Sequence, residues 1–161
     1  MRIRLATPDD AEAIRAIYNV EVTTTTHTFD LEPRTLEDQR GWLAERTGAY
    51  AAVVADTDDG VVGFASLSPY RTRAAYRTTV ENSVFVHEAH RGRGVGRALL
   101  DELLSMARSH GFHTVIARIA GHNEASVALH EALGFELVGT EREVGRKFNR
   151  WIDVVELQRI L

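Results

Sequence analysis

The chain has 161 residues, 44% of them hydrophobic and 26% charged, which is enough for a globular domain with a proper core. Its net charge of −4 argues against a broad nucleic-acid-binding surface, and the absence of cysteine excludes disulfides, thiolate nucleophiles and thiolate metal sites. No apolar run approaches the length of a membrane span and the first residues lack the core of a signal peptide, so we expect a cytoplasmic protein with no membrane partner.

The first third of the chain is predicted to form a short strand and two helices. Ile3 and Leu5 alternate with arginines, which indicates the strand. Thr7-Pro8-Asp9-Asp10 combines a capping hydroxyl, a proline and two acids, which is typical of a helix start. The β-branched run 23–26 disfavours helix and predicts a break. A second helix is expected after Pro33-Arg34-Thr35, ending by Gly48.

The middle of the chain is predicted to form a hairpin, an arginine-rich loop and a further strand. Asp58-Asp59-Gly60 separates two apolar runs and indicates a hairpin turn. Pro69 ends the second run, and residues 70–76 form the loop. In the following strand, 79–86, the alternation of side chains puts Glu81 on the face opposite to the valines.

Arg91-Gly92-Arg93-Gly94-Val95-Gly96 lies between this strand and an amphipathic helix. Glycines let backbone N–H groups point into one concavity, and a helix N-terminus adds roughly half a positive charge. Together with Arg97, the segment predicts a pyrophosphate-binding loop. A dinucleotide fingerprint would need glycine at position 97, and the Gly-Lys-Ser/Thr end of a P-loop is absent. A simple tight turn with solvated arginines is the alternative.

The last third is predicted to form a strand at 114–119, a helix at 123–133 and two more strands, the last near 151–157. The order of elements is strand, two helices, three strands, helix, strand, helix and two strands, with no linker or repeat. We therefore expect one α+β domain over residues 1–161, although this pattern alone leaves other mixed folds open.

Several motifs, in order along nearly the whole chain, carry a resemblance to a known family. Arg91-x-x-Gly94-x-Gly96 resembles the acetyl-coenzyme A motif of the GNAT superfamily of N-acetyltransferases, and Asn123-x-x-Ser126 with the segment 129–135 resembles its second cofactor helix. Within the superfamily, the chain resembles the phosphinothricin (methionine sulfoximine) N-acetyltransferases through Thr28-Phe29, Pro69-Tyr70-Arg71-x-Arg73-x-x-Tyr76, Thr79-Val80-Glu81-Asn82-Ser83-Val84 and Gly145-Arg146-Lys147-Phe148. The resemblance implies a mixed, mostly antiparallel sheet of about seven strands flanked by about four helices.

The resemblance also implies an activity, the transfer of an acetyl group from acetyl-CoA to the α-amine of a small amino-acid-like substrate. The expected cofactor-binding residues are Val84, Phe85, Val86, Arg91, Gly92, Arg93, Gly94, Val95, Gly96, Arg97, Asn123 and Ser126. The expected substrate-binding residues are Phe29, Arg71, Arg73 and Tyr76, since guanidinium groups suit a carboxylate or phosphinate. Acetylation of a protein or peptide amine, or a coenzyme A-binding sensor without catalysis, are the alternatives.

Two residues are candidates for proton transfer. Glu81 is the expected general base, because an apolar strand should raise its pKa by desolvation and the resemblance points to the same position. A glutamate in solvent, or one paired with arginine, is the alternative. His130 shares a helix face with Asn123 and Ser126. As an imidazolium it could protonate the departing thiolate, and the alternative is a structural histidine.

Neither metal nor nucleic acid is expected as a ligand or partner. His87-Glu88-Ala89-His90 is one residue short of the zinc-protease motif, and His110 and His113 merely straddle a helix end. The resemblance implies a possible homodimer, but no pattern in the sequence locates an interface.

Overall fold

The computed structural model describes residues 1–161 and contains one seven-stranded sheet. Its strands are β1 (Arg2–Leu5), β2 (Ala52–Thr57), β3 (Gly60–Pro69), β4 (Thr79–Val86), β5 (Thr114–Ala120), β6 (Glu136–Lys147) and β7 (Arg150–Ile160). They lie in the order β1-β2-β3-β4-β5-β7-β6, and every neighbouring pair is antiparallel except β4 and β5. The helices are α1 (Ala11–Thr24), α2 (Leu36–Ala44), α3 (Val95–Ser109) and α4 (Glu124–Ala132). The predicted mixed, mostly antiparallel sheet with four helices is confirmed.

The sheet separates two apolar cores, one on each face. The leucines of α3 are fully buried against the face formed by Val80, Val115 and their neighbours. Each such leucine contributes about 1.5–3 kcal/mol through burial. On the opposite face, Ile14 and Tyr18 of α1 pack on Phe64. The middle strands are therefore held from both sides, which fixes the side chains that they present.

The parallel pair β4–β5 is joined along only part of its length. The two strands pair over Thr79–Asn82 and Thr114–Ala117, and both then continue without pairing to each other. Beyond Asn82, β4 still pairs with β3, and beyond Ala117, β5 still pairs with β7. A wedge-shaped gap thus opens in the middle of the sheet, lined by backbone groups that have no strand partner on that side.

Helix α1 extends further than the sequence predicts. It includes Thr23 and Thr24, whose hydroxyls donate to the carbonyl oxygens of Asn19 at 2.8 Å and Val20 at 2.6 Å. These back-bonds satisfy β-branched residues that disfavour helix on propensity alone. None of the helices has the length and apolar character needed to traverse a membrane.

Candidate active site

A cavity of about 670 Å³ lies at the gap between β4 and β5. Glu81, His130 and Phe29 line it, as do all the predicted cofactor-binding residues except Arg93. Arg71, Arg73 and Tyr76 do not line it. The structure therefore brings together the predicted base and the glycine loop, but not the predicted arginine pair.

The glycine loop forms the start of α3 and faces the cavity. Gly94 is the N-cap of the helix with φ of 81°, and Gly92 has φ of 71°, both in the region that disfavours other residues. Ala98 is the residue whose N–H returns to Gly94 O, at 3.0 Å, so the preceding N–H groups of the first turn have no partner within the helix. This arrangement of free donors at a helix N-terminus suits a pyrophosphate.

Arg91 connects the glycine loop to helix α1. Its Nε donates to Val86 O at 3.2 Å, and its Nη2 forms an ion pair with Glu21. Glu21 is only 4% exposed, and its other carboxylate oxygen lies 3.1 Å from Nδ1 of His27. A buried carboxylate thus holds Arg91 at the edge of the cavity. Arg93, by contrast, is exposed outside it.

Glu81 lies on the cavity face of β4, directly opposite Ser68 of β3. Burial raises the pKa of its carboxyl group, an effect that the positive charge of Arg118 opposes and the negative charges of Glu156 and Glu141 reinforce. A partly buried carboxylate with a raised pKa is well suited to accept a proton near neutral pH. Its only cationic neighbour of consequence, Arg118, is paired with Glu141 at 2.8 Å instead.

His130 has the contacts of a structural residue. It is 2% exposed, its Nδ1–H donates to Ser126 O at 2.7 Å, and its Nε2 accepts from the Asn82 amide at 2.9 Å. Burial lowers the pKa of the imidazole, which favours the neutral ring. A neutral ring with both nitrogens engaged is a poor proton donor, so the hypothesis of an imidazolium finds no support in these contacts.

Asn123 and Ser126 begin the helix that carries His130. The Asn123 side chain caps α4 by accepting from the Ser126 N–H at 3.1 Å, as its position in the sequence predicts. Both residues line the cavity on the side of β5. They therefore line the same cavity as Val84, Phe85 and Val86.

The far end of the cavity is formed by side chains that sequence reasoning missed. They come from α1, α2, β3 and the segments on either side of α2, and they include Tyr18, Arg34, Trp42, Arg46, Phe64 and Ser66. The guanidinium carbon of Arg34 lies 3.8 Å from the centre of the Tyr18 ring, and that of Arg46 lies 3.8 Å from the Trp42 ring. The i,i+4 spacing of Trp42 and Arg46 was the one available signal. It could not show that α2 lies over this part of the sheet.

The segment between α1 and α2 closes one side of the cavity and is fixed by β6. Lys147 is 3% exposed, and its Nζ donates to Thr28 O at 2.9 Å. Burial lowers the pKa of this amine. The Phe29 ring lies directly on Gly145, where a Cβ atom would come within 2.3 Å of the ring. The Gly145–Phe148 motif therefore positions Thr28 and Phe29 at the cavity.

We expect Gly145→Ala to raise KM for the amine substrate while leaving KM for acetyl-CoA unchanged. The new methyl group must displace the Phe29 ring, which is 41% exposed and so can move without unfolding the protein. Gly139→Ala is the matched control, because a Cβ there meets nothing within 4 Å on the same strand. Steady-state kinetics would test this, and equal KM values in the two variants would contradict the role of Phe29.

The loop that contains Arg71, Arg73 and Tyr76 runs along the surface between β3 and β4. Both arginines are exposed, and the Arg71 guanidinium carbon lies 4.8 Å from the ring of Tyr70 and 5.6 Å from that of Tyr76. The structure does not bring these residues into the cavity that Glu81 lines. The loop leaves β3 at Pro69, and Arg71 lies beside the tyrosines of the same loop. Whether the loop binds substrate in another way stays a prediction.

No group of three or more histidine, aspartate or glutamate side chains is arranged to hold a metal ion. His87 and His90 are neighbours with ring centres 5.7 Å apart, but His90 contacts Asp59 instead of sharing a ligand position.

Comparison with known sequences identifies related enzymes along the whole chain. A family model described as an acetyltransferase (GNAT) domain matches residues 3–155. A phosphinothricin N-acetyltransferase of Streptomyces coelicolor is 40% identical, over 100% of this chain and 96% of the relative. An L-methionine sulfoximine/L-methionine sulfone acetyltransferase of Pseudomonas aeruginosa is 39% identical, over 97% of this chain and 92% of the relative.

Solved structures that are similar to this chain are also described as acetyltransferases. A structure described as a ribosomal-protein-alanine N-acetyltransferase from Brucella melitensis superposes with a TM-score of 0.97 at 41% identity and covers 100% of both chains. A phosphinothricin acetyltransferase from Sinorhizobium meliloti, solved in complex with acetyl-CoA, gives a TM-score of 0.95 at 38% identity, covering 99% of this chain and 88% of that one.

Proposed function

The chain belongs to the GNAT acetyltransferase family, and on that premise we propose that it acetylates the α-amine of a small, free amino acid with acetyl-CoA as donor. The observation that carries the proposal is the position of Glu81. This carboxylate lies in one cavity with the glycine loop and with the aromatic and cationic side chains contributed by α1, α2 and the segments that flank α2.

The residues present fit acetyl-CoA as the donor. Free N–H groups at the start of α3 and the side chain of Arg91 would hold the pyrophosphate. Val84, Phe85 and Val86 present backbone groups that have no β5 partner, and these would bind the amide-containing arm as an added strand. When bound, acetyl-CoA supplies an activated acyl group with a thiol as the leaving group.

Glu81 would make the amine reactive. A protonated amine has no lone pair for attack on a carbonyl carbon, so the proton must leave first. The Glu81 carboxylate accepts that proton, directly or through one water molecule, because burial has raised its pKa toward neutrality. The surrounding aromatic side chains restrict the free amine to the cavity and so hold it beside the acyl carbon, which is the main contribution needed for a direct transfer.

A second candidate is acetylation of a protein N-terminus or another peptide amine. The description of the similar Brucella structure favours it. The aromatic rings of Trp42, Phe64 and Phe29 disfavour it, because they bring bulky side chains to the cavity where a peptide needs an open groove. A sensor without catalysis is disfavoured by Glu81, since a pure coenzyme A-binding protein has no use for a partly buried carboxylate there.

A thiol-release screen with acetyl-CoA would test the proposal. The panel contains methionine sulfoximine, methionine sulfone, phosphinothricin, common amino acids, polyamines, arylamines and an alanyl peptide, with a reaction lacking any amine as the control. We expect free α-amino acids with a tetrahedral polar end to the side chain to be preferred. Preference for a polyamine, an arylamine or the peptide over every amino acid would refute the proposal.

A further inference from the structure

We infer that Arg46, at the end of α2, is the binding site for the α-carboxylate of the substrate, an inference that rests on the proposed function. Arg46 lines the cavity. Its Nη1 donates to Trp42 O and its Nη2 to Ser68 Oγ, both at 3.3 Å, while its Nε is buried without any partner. A guanidinium carries more N–H donors than these two bonds use, so it retains capacity for an anion.

Arg46 differs from every other arginine of the cavity in lacking a carboxylate partner. Arg91 pairs with Glu21 and Arg118 with Glu141. The remaining pairs are Arg34 with Asp30, at 3.6 Å, and Arg97 with Asp101, at 3.7 Å. No acidic side chain lies within ion-pair distance of Arg46. A partly buried charge without a counter-ion is unfavourable, and an anionic ligand would complete it.

The surroundings of Arg46 disfavour its positive charge, as the pKa of the guanidinium shows. Burial lowers the pKa of the guanidinium to about 10, the positive charge of Arg34 acts in the same direction, and the negative charge of Glu45 opposes both without forming an ion pair. The two arginines therefore repel each other across the aromatic rings that lie beneath them. An anion between them and the sheet would relieve this repulsion, whereas a neutral ligand would not.

Arg46 is connected to the neighbourhood of Glu81 through a single hydrogen bond. Ser68, which accepts from Arg46, is the residue directly opposite Glu81 on the neighbouring strand. The Cβ atoms of such cross-strand pairs lie about 4.5–5.5 Å apart. An amino acid carries its carboxylate and its amine on one carbon, so a carboxylate bound by Arg46 directs the amine toward Glu81.

The guanidinium of Arg46 is also held in a fixed orientation. It stacks on Trp42, and the Trp42 ring in turn contacts Phe64 edge-on, with ring centres 6.0 Å apart. Each Nη nitrogen keeps a second N–H that its bond to Trp42 O or Ser68 Oγ does not use, and two such donors in one plane suit a carboxylate. Lysine would supply the charge without this geometry.

The test compares methionine sulfone with its carboxamide, which keeps the amine and loses the negative charge. For the unmodified protein we expect clear preference for the acid. Arg46→Gln should raise KM for the acid by roughly tenfold to a hundredfold, the worth of a charge-assisted hydrogen bond, and leave the carboxamide and acetyl-CoA unaffected. Arg46→Lys should retain only part of the preference for the acid over the carboxamide. Arg40→Gln, on the exposed side of the same helix, is the control.

Each outcome decides between explanations. If Arg46→Gln raises KM for the acid and KM for the carboxamide equally, Arg46 only supports Trp42, and the inference is wrong. If the unmodified protein does not distinguish the acid from the carboxamide, the inference is also wrong, even where the variant fails to fold. If no α-amino acid is acetylated at all, the proposed function itself has failed, which the screen described above reveals separately.

Discussion

Glu81→Gln should lower kcat by about 10²–10⁴-fold near neutral pH, the usual contribution of a general base. Glutamine keeps the size of the side chain but cannot accept the proton of the amine. The loss should become smaller at alkaline pH, where more of the substrate amine is already neutral. KM for acetyl-CoA should remain nearly unchanged, since Glu81 lies away from the glycine loop. If the pH–rate profiles of the variant and the unmodified enzyme overlay, Glu81 is not the base.

Glu156→Gln provides a control within the same electrostatic environment. The negative charge of Glu156 raises the pKa of Glu81, after the larger effect of burial. Removing that charge should shift the acidic limb of the kcat/KM profile to lower pH while leaving the maximal rate intact. A limb that stays in place would indicate that some other group sets the pH dependence.

Thermal unfolding of Glu81→Gln would show that its loss of activity does not reflect misfolding. Because folding raises the pKa of Glu81, the folded state holds that proton more tightly than the unfolded chain does. The associated stability is full below the unfolded pKa and is lost as the pH rises through the folded pKa. Glutamine has no proton to lose at this position, so the variant keeps its stability as the pH rises. Its Tm should therefore exceed that of the unmodified protein at neutral pH and approach it in acid.

Gly94→Val should weaken coenzyme A binding by roughly a hundredfold, corresponding to one or two lost charge-assisted hydrogen bonds of about 1.5–3 kcal/mol each. The φ of 81° at this position is unfavourable for a β-branched residue, so the N–H groups at the start of α3 must reorient. The added side chain would also occupy the approach to the pyrophosphate. Calorimetry with coenzyme A measures the effect directly.

Gly60→Val is the matched control for this substitution. Gly60 has φ of 89° and, like Gly94, offers open space to a Cβ atom, but it lies at the start of β3 in the hairpin turn. Both variants should lose similar stability through backbone strain, about 1–2 kcal/mol or more. Only Gly94→Val should lose affinity. Equal coenzyme A binding in the two proteins would remove the glycine loop from the cofactor site.

The sequence predicts the elements of this fold well because each begins and ends at strong local signals. The boundaries of β4 agree with the prediction, and α4 lies within one residue of its predicted limits at both ends. The boundary that local propensity misplaced is the end of α1. There, hydroxyls of Thr23 and Thr24 return to the helix carbonyls, a contact that a propensity scale does not include.

The residues of the candidate site also fall into two groups, those that local sequence predicts and those that it does not. Glu81 and the glycine loop occupy positions set by a strand and by the turn that follows it, so local pattern and resemblance sufficed. Arg46 depends on how α2 lies over the sheet, and Lys147 reaches Thr28 across 119 residues of sequence. Such contacts come from tertiary packing. Arg71 lies outside the cavity for the converse reason, because a motif identifies a residue without fixing the direction of its loop.

The gap between β4 and β5 has a consequence for how this architecture can diversify. Each of the two strands keeps one complete ladder on its outer side, with β3 and with β7, so the gap is a permanent part of the folded sheet. A bound ligand adds stability by mass action, about 2.7 kcal/mol at a hundredfold excess over Kd. The side chains at the far end of the cavity, around Tyr18 and Trp42, come largely from α1, α2 and the segment between them. None of these elements belongs to the hydrogen-bonded sheet. Substitutions there can change which amine is accepted without weakening the pairing of any strand, and acceptor choice can evolve independently of donor binding.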